Sequence, residues 1–217
     1  MLRYIITLTI ITTFLLAAQA DKGQPVEKGF TRIFDGKTLK GWEGNQKMFR
    51  IEDGAIVAGT LKEKIPHNEF LCTEKKYKNF ELRLQAKLVG EGKNAGIQFR
   101  SKRIPDHHEV IGFQADIGLM RGTENIWGAL YDESRRRKFL AVGEQAKLKE
   151  TVKLDDWNNF VIRCEGPHIT IRVNDLLVVD YTEKDKEIAD SGIIGLQIHG
   201  GPPAEASYRN IRIQELK

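Results

Sequence analysis

Three stretches of the chain carry, at every second position, groups suited to chemistry on a neutral, oxygen-rich molecule. Gly96, Gln98 and Arg100 alternate with Ala95, Ile97 and Phe99. Gly112, Gln114 and Asp116 alternate with Ile111, Phe113, Ala115 and Ile117, and Gly195, Gln197 and His199 alternate with Ile194, Leu196 and Ile198. Side chains switch faces along a β-strand, so each stretch has one apolar face and one face of glycine, planar amide and ionisable group. A plainly solvated sheet face favours Lys, Glu and Thr instead. Amides and a guanidinium give directional hydrogen bonds to hydroxyls and carbonyls. Glycine inside a strand marks close approach of a ligand or another backbone. If the three strands share a sheet, these groups floor a hollow for a sugar; otherwise they are unrelated strands with incidental polar residues.

Residues 126–134 add aromatic and acidic groups. Trp127 and Tyr131 offer flat faces on which a pyranose can stack, and Asp132 and Glu133 offer carboxyls. Trp42 and Trp157 read as core residues.

The elements that must position these groups are strands. Apolar and polar residues alternate strictly over 80–88, and again around Phe160, Ile162 and Cys164 and around Ile169, Ile171 and Val173. Asn174-Asp175 reads as a hairpin turn, and Gly166-Pro167 and Asp53-Gly54 separate further strand pairs. No long helical period follows the first twenty residues. About a dozen short strands, with 20 glycines for turns, imply an all-β fold, a two-sheet jelly-roll sandwich. A last strand over 207–216 is expected to pair near 30–34, closing one domain over 21–217.

Residues 1–20 read as a cleavable signal peptide: Arg3, an apolar run over 5–18, then Ala18-Gln19-Ala20 before the polar Asp21-Lys22-Gly23. The run is short of the roughly 20 residues a spanning helix needs, so export to a secreted or periplasmic location is expected, without stable membrane insertion. Net charge is +4 with acidic and basic residues interspersed, which gives no field for nucleic acid. The densest basic run, Arg135 to Lys138, reads as a solvated loop. Cys72 and Cys164 are either a disulfide, which export permits, or two buried thiols. No Cys/His zinc spacing occurs.

At these same residues the sequence resembles the bacterial 3-keto-disaccharide hydrolase domain family. The likeness rests on the opening over 29–42, on Asn94-Ala95-Gly96-Ile97-Gln98-Phe99-Arg100, on the stretches 112–118 and 127–134, and on Gly195-Leu196-Gln197-Ile198-His199-Gly200 with Tyr208-Arg209-Asn210-Ile211. The resemblance implies a concanavalin A-like jelly roll of the lectin/glucanase type and cleavage of glycosides oxidised at C3. Many members carry glutamate where this chain has Gln114, which leaves Asp116, Asp132 and Glu133 as acidic candidates.

Such cleavage would use the acidity that a C3 ketone confers on the C2 hydrogen: proton removal, expulsion of the C1 substituent, then addition of water. On that scheme Arg100 holds the C3 oxygen, Asp116 or His199 is the base, and Glu133 is the reserve acid. An imidazole needs less tuning than a carboxyl to act near neutrality. Gln98, Gln114 and Gln197 bind hydroxyls, while Trp127 and Tyr131 stack on the ring. Asp116, His199 and Glu133 could also ligate a divalent metal, although no spacing demands one. Bland roles exist too: His199 supporting the loop over 200–203, and Asp116 paired with Arg100. The alternative to an enzyme is a non-catalytic, lectin-like glycan-binding module.

Overall fold

The computed structural model describes residues 26–217; the leader read in residues 1–20 lies outside them. In chain order the strands are β1 Thr31–Arg32, β2 Trp42–Glu43, β3 Phe49–Glu52, β4 Ala55–Thr60, β5 Glu69–Thr73, β6 Phe80–Gly90, β7 Asn94–Arg103 and β8 Val110–Met120. They continue as β9 Glu124–Asn125, β10 Leu130–Glu133, β11 Phe139–Ala141, β12 Asn158–Glu165, β13 His168–Val173, β14 Leu176–Thr182, β15 Ile193–Ile198 and β16 Ala204–Glu215. One helix, α1 Gln145–Thr151, follows β11.

Two antiparallel sheets form the sandwich. The first runs β14-β13-β12-β6-β16-β4-β3, with β1 on β16, and the second runs β11-β10-β8-β7-β15-β5-β2, with β9 on β8. The last strand does return to the first, with Thr31 opposite Ile213. Asp53-Gly54 and Asn174-Asp175 close two-residue hairpins, and all four residues adopt positive φ, as a type I′ turn requires. The period of two along β6 buries Phe80, Leu82, Leu84, Ala86 and Leu88 against the other sheet. From the second sheet come Ala95, Ile97, Phe99, Phe113, Ala115, Ile117, Ile194, Leu196 and Ile198. Each large side chain fully withdrawn from water there contributes roughly 1.5–3 kcal/mol. Among the described residues no helix is long and apolar enough to cross a membrane.

Tyr208 of β16 crosses this core. Its hydroxyl hydrogen-bonds the carbonyls of Gln197 at 2.5 Å and Gly96 at 3.1 Å, tying the first sheet to the backs of β15 and β7.

Several expectations change. Trp42 is core and donates from its indole to the Ile33 carbonyl at 2.6 Å. Trp157 is not core: it is half-buried, with the Arg209 guanidinium 4.0 Å and the Lys87 ammonium 5.1 Å from its ring centre. The basic run is only partly a solvated loop, because Arg135 and Arg136 fold back to clasp the fully buried Asp132, and Arg136 also holds Glu183 at 2.6 Å. Cys72 and Cys164 are both free and buried. Cys164 lies in the core between the sheets, whereas Cys72 lies in a small cluster with Phe70, Val110 and Ile193.

Candidate functional site

The three polar-faced stretches do share a sheet, as the neighbouring strands β8, β7 and β15. Register puts Gln197 and Asp116 on either side of Gly96, and Gly195 and Gln114 on either side of Gln98. Tyr131 of β10 lies opposite Gln114. Because cross-strand partners point the same way, these residues occupy the face turned away from the core.

A cavity of about 260 Å³ opens on that face. Gln114 and Asp116 of β8 line it beside Asn68, Asn94 and His199, which sit at the ends of β5, β7 and β15. Tyr131 and Glu133 of β10 form one wall, with Met120, Ile126 and Phe139 supplying apolar surface. Phe139 packs edge-on against Tyr131 with ring centres 5.1 Å apart. The volume is just under the ~300–1,000 Å³ common for small-molecule sites.

Three of its ionisable groups, Asp116, Glu133 and Tyr131, are perturbed. Burial pushes the Asp116 carboxyl up to about 8; the Gln114 hydrogen bond opposes this and the Glu133 charge adds to it. Asp116 is therefore largely a neutral acid at pH 7. Glu133 is also raised, by burial and then by Glu109, against the pull of Ser134, whose N–H donates to Oε1 at 3.0 Å. The Tyr131 phenol is raised by burial and by the charges of Glu133 and Asp116. His199 Nδ1 lies 2.6 Å from the Gly200 carbonyl oxygen. A carbonyl only accepts, so Nδ1 carries the proton and Nε2 keeps a lone pair in the neutral ring.

Arg100 is not at this site. A register shift between Phe99 and Lys102, together with a φ of +47° at Arg100, takes it out of the strand alternation. Its guanidinium is buried against the Lys78 carbonyl, at 2.9 and 2.7 Å, and the Gly166 carbonyl, at 2.7 Å. It makes no pair with Asp116. Trp127 is also displaced: it is 1 % exposed, points into the core and packs against Phe160 with centres 5.9 Å apart. The backbone ladder explains the turn, since Asp116 N–H donates to the Ala129 carbonyl and Gly128 N–H to the Asp116 carbonyl.

Gln98 and Gln197 belong to the same face but lie fully buried, and neither lines the cavity. Gln98 Nε2 donates to Gln114 Oε1 at 2.7 Å, Gln114 Nε2 donates to Asp116 Oδ1, and Ser101 Oγ lies 2.8 Å from Gln98 Oε1. Neither polar atom of the Gln197 carboxamide has a protein partner. The glycines prove to make room for these amides. A Cβ on Gly96 would overlap the Gln114 carboxamide, and one on Gly195 would come within 3.1 Å of Gln98 Cβ and 3.2 Å of Cys72 Sγ.

Three residues escaped the sequence reading. Asn68 accepts from Gly200 N–H at 2.9 Å and donates to Glu109 Oε1 at 3.0 Å, fixing the segment that carries His199. Asn94 lines the cavity, and its buried Oδ1 has no protein partner. Glu109 acts on Glu133 from behind Asn68. Of the three, only Asn94 stood inside a motif. Among the described residues no three His, Cys, Asp or Glu side chains group closely enough to hold a metal ion.

A 3-keto-disaccharide hydrolase of Bacteroides thetaiotaomicron is 26% identical, covering 93% of this chain and 84% of the relative. A crystal structure from Parabacteroides distasonis, provisionally described as a glycosyl hydrolase, superposes with a TM-score of 0.63 at 16% identity, over 87% of this chain and 94% of that one. A carbohydrate-binding module from Bacillus subtilis superposes with a TM-score of 0.61 at 13% identity, over 81% and 96%. A further Bacillus subtilis structure, described as galectin-like, has a TM-score of 0.61 at 10% identity, over 86% and 98%. The fold is thus a jelly-roll sandwich, and residues 29–214 match the model of the 3-keto-alpha-glucoside-1,2-lyase-like domain, the family to which this chain belongs.

Proposed function

We propose that the chain is an enzyme that cleaves 3-keto-glycosides by elimination across C1 and C2 followed by addition of water. The observation that carries this reading is Asp116, a carboxyl kept protonated near neutrality, sharing one cavity with a histidine whose Nε2 lone pair is available. The family description, which names a 1,2-lyase acting beside a 3-keto group, supports it.

His199 Nε2 takes the proton from C2. The electron pair moves toward the C3 carbonyl, and Asp116 donates its hydrogen bond to the oxygen as negative charge develops there. Collapse of the enolate breaks the C1–O bond and leaves a C1=C2 double bond conjugated with the ketone. The departing oxygen takes its proton from Glu133, which burial and Glu109 favour in the acid form. Water then adds at C1 and a proton returns to C2, giving the free 3-keto sugar. Tyr131 stacks on the ring, and Asn68 and Asn94 bind hydroxyls; an unpartnered buried Oδ1 on Asn94 suits a donor on the substrate. Arg100, Trp127, Gln98 and Gln197 have no contact with substrate in this scheme.

The test is incubation with 3-keto-trehalose and with trehalose in deuterated water, following sugar release and label at C2. Release from the keto compound alone, with deuterium at C2, is the expected result. Tight binding of both sugars with no turnover would leave the lectin-like reading in its place.

A further inference from the structure

Under the floor of the cavity runs a closed line of polar side chains: Ser101, Gln98, Gln114 and Asp116, each no more than 3 % exposed. Such a line is costly to build. Three strand glycines clear its path: Gly96 beneath Gln114, Gly195 beside Gln98, and Gly112, where a Cβ would overlap Ser101 Oγ. A carboxamide has a donor end and an acceptor end, so a line of them has a direction. As oriented, Gln98 Nε2 donates to Gln114 Oε1 and Gln114 Nε2 donates to Asp116, which suits a carboxylate.

The far end can accept the opposite direction. Ser101 Oγ lies 2.8 Å from Gln98 Oε1 but also 3.0 Å from the Phe99 carbonyl and 3.4 Å from the Phe113 carbonyl. With its proton turned to Phe99, the hydroxyl accepts from a reversed Gln98. Gln98 then accepts from a reversed Gln114, and Gln114 accepts from the O–H of protonated Asp116. One hydroxyl rotation and two amide reversals keep each link of the line made in both states. A line ending in an apolar residue could satisfy only one.

We infer that Gln98 and Ser101 are positioning residues whose reversible hydrogen-bond line accommodates Asp116 in both its charged and its protonated form. The inference rests on the reading of Asp116 as the group that serves the C3 oxygen. No bond forms or breaks along the line itself; with substrate bound, Asp116 turns its O–H from Gln114 to the C3 oxygen as a hydrogen-bond donor. The charged and titratable groups facing Asp116 are Glu133 and Tyr131 from β10 and His199 after β15; β7 presents only Gly96 opposite it.

The test is NMR of the full chain across the titration of Asp116, with labelled Asp carboxyl carbons and Gln side-chain amides. The Gln98 and Gln114 amide signals should move together at the Asp116 midpoint, and both should stay still in Asp116→Asn. Gln98→Met should uncouple Gln114 from the titration and make Asp116 about tenfold weaker as an acid, since a polarised donor to the carboxylate is lost. A Gln98 amide signal that stays flat through the wild-type Asp116 titration overturns the inference, and that measurement needs no variant to fold. Coupled signals in a protein that never cleaves a keto-sugar would support the line while removing the enzymatic reading.

Discussion

Arg100 holds the carbonyl of Lys78 with two of its nitrogens, at 2.9 and 2.7 Å, from the far side of the sandwich edge. The third contact, to the Gly166 carbonyl, makes the guanidinium a clasp between the start of β6 and the turn joining β12 to β13. A residue whose type suggested oxyanion chemistry therefore serves the framework.

Arg100→Met should cost about 1–3 kcal/mol of stability, because it removes the buried guanidinium that links the Lys78 and Gly166 carbonyls. Turnover per folded molecule should stay within about twofold of wild type. Denaturation combined with active-site-normalised kinetics checks this, and a catalytic loss far exceeding the folded fraction would return Arg100 to the mechanism.

Asp116 makes stability fall with rising pH. The folded protein retains the proton up to about 8, while the ordinary carboxyl releases it near 3.8. Between these values the native state binds more protons than the unfolded chain, so stability is greatest below the window and least above it. Asp116→Asn should remove that slope and be the more stable protein at about pH 9, by an amount on the order of a few kcal/mol. Urea midpoints across pH measure it; parallel slopes in the two proteins would contradict the assignment.

His199→Gln should lower kcat on a 3-keto-glycoside by about 10²–10⁴-fold while changing stability by less than about 1 kcal/mol. The exchange of the C2 hydrogen should fall in step. If cleavage drops but exchange continues, another group takes the C2 proton.

Arg136→Met should destabilise by about 2–4 kcal/mol at neutral pH, since it leaves the buried Asp132 and Glu183 short of a partner. Burial alone would raise Glu183, but Arg136 and the Asp185 N–H draw it down to about 2. That contribution is complete above the ordinary value of 4.5 and fades as pH falls through about 2. The gap between variant and wild type should therefore narrow in acid, which thermal melts at stepped pH would reveal.

Burial pushes both the Cys72 and Cys164 thiols up to about 12. Neither should react with a thiol reagent at pH 8 until the chain unfolds, when both should be labelled together. Rapid modification of the native protein would contradict their burial.

How far the sequence is legible depends on whether a residue obeys the period of its element. Gln114 and Asp116 keep to the alternation of β8, and His199 continues that of β15, so counting by twos places them on one face; Tyr131 and Glu133 were legible only by residue type. Arg100 sits in a bulge and Trp127 in an irregular crossing between β9 and β10, where counting by twos gives no direction. Asn68 and Glu109 lie just outside their strands, where only the folded backbone brings Asn68 to the cavity and Glu109 behind it. The glycines were read correctly as clearance but assigned to the wrong occupant, because a sequence does not say whether the crowding group is a ligand or a neighbouring glutamine. Trp157 misled for another reason: its ring is covered by cations, a mode of shielding that hydropathy does not register.

The distribution of the cavity wall along the chain has an evolutionary corollary. Every lining residue except Asn68, Asn94 and His199 falls between positions 114 and 139, a single contiguous stretch. Exchanging that stretch between paralogues would transplant selectivity while sparing the opposite sheet, which contributes no lining side chain. Most of the wall is thus one exchangeable cassette, separate in sequence from the segment that carries His199 and from the opposite sheet.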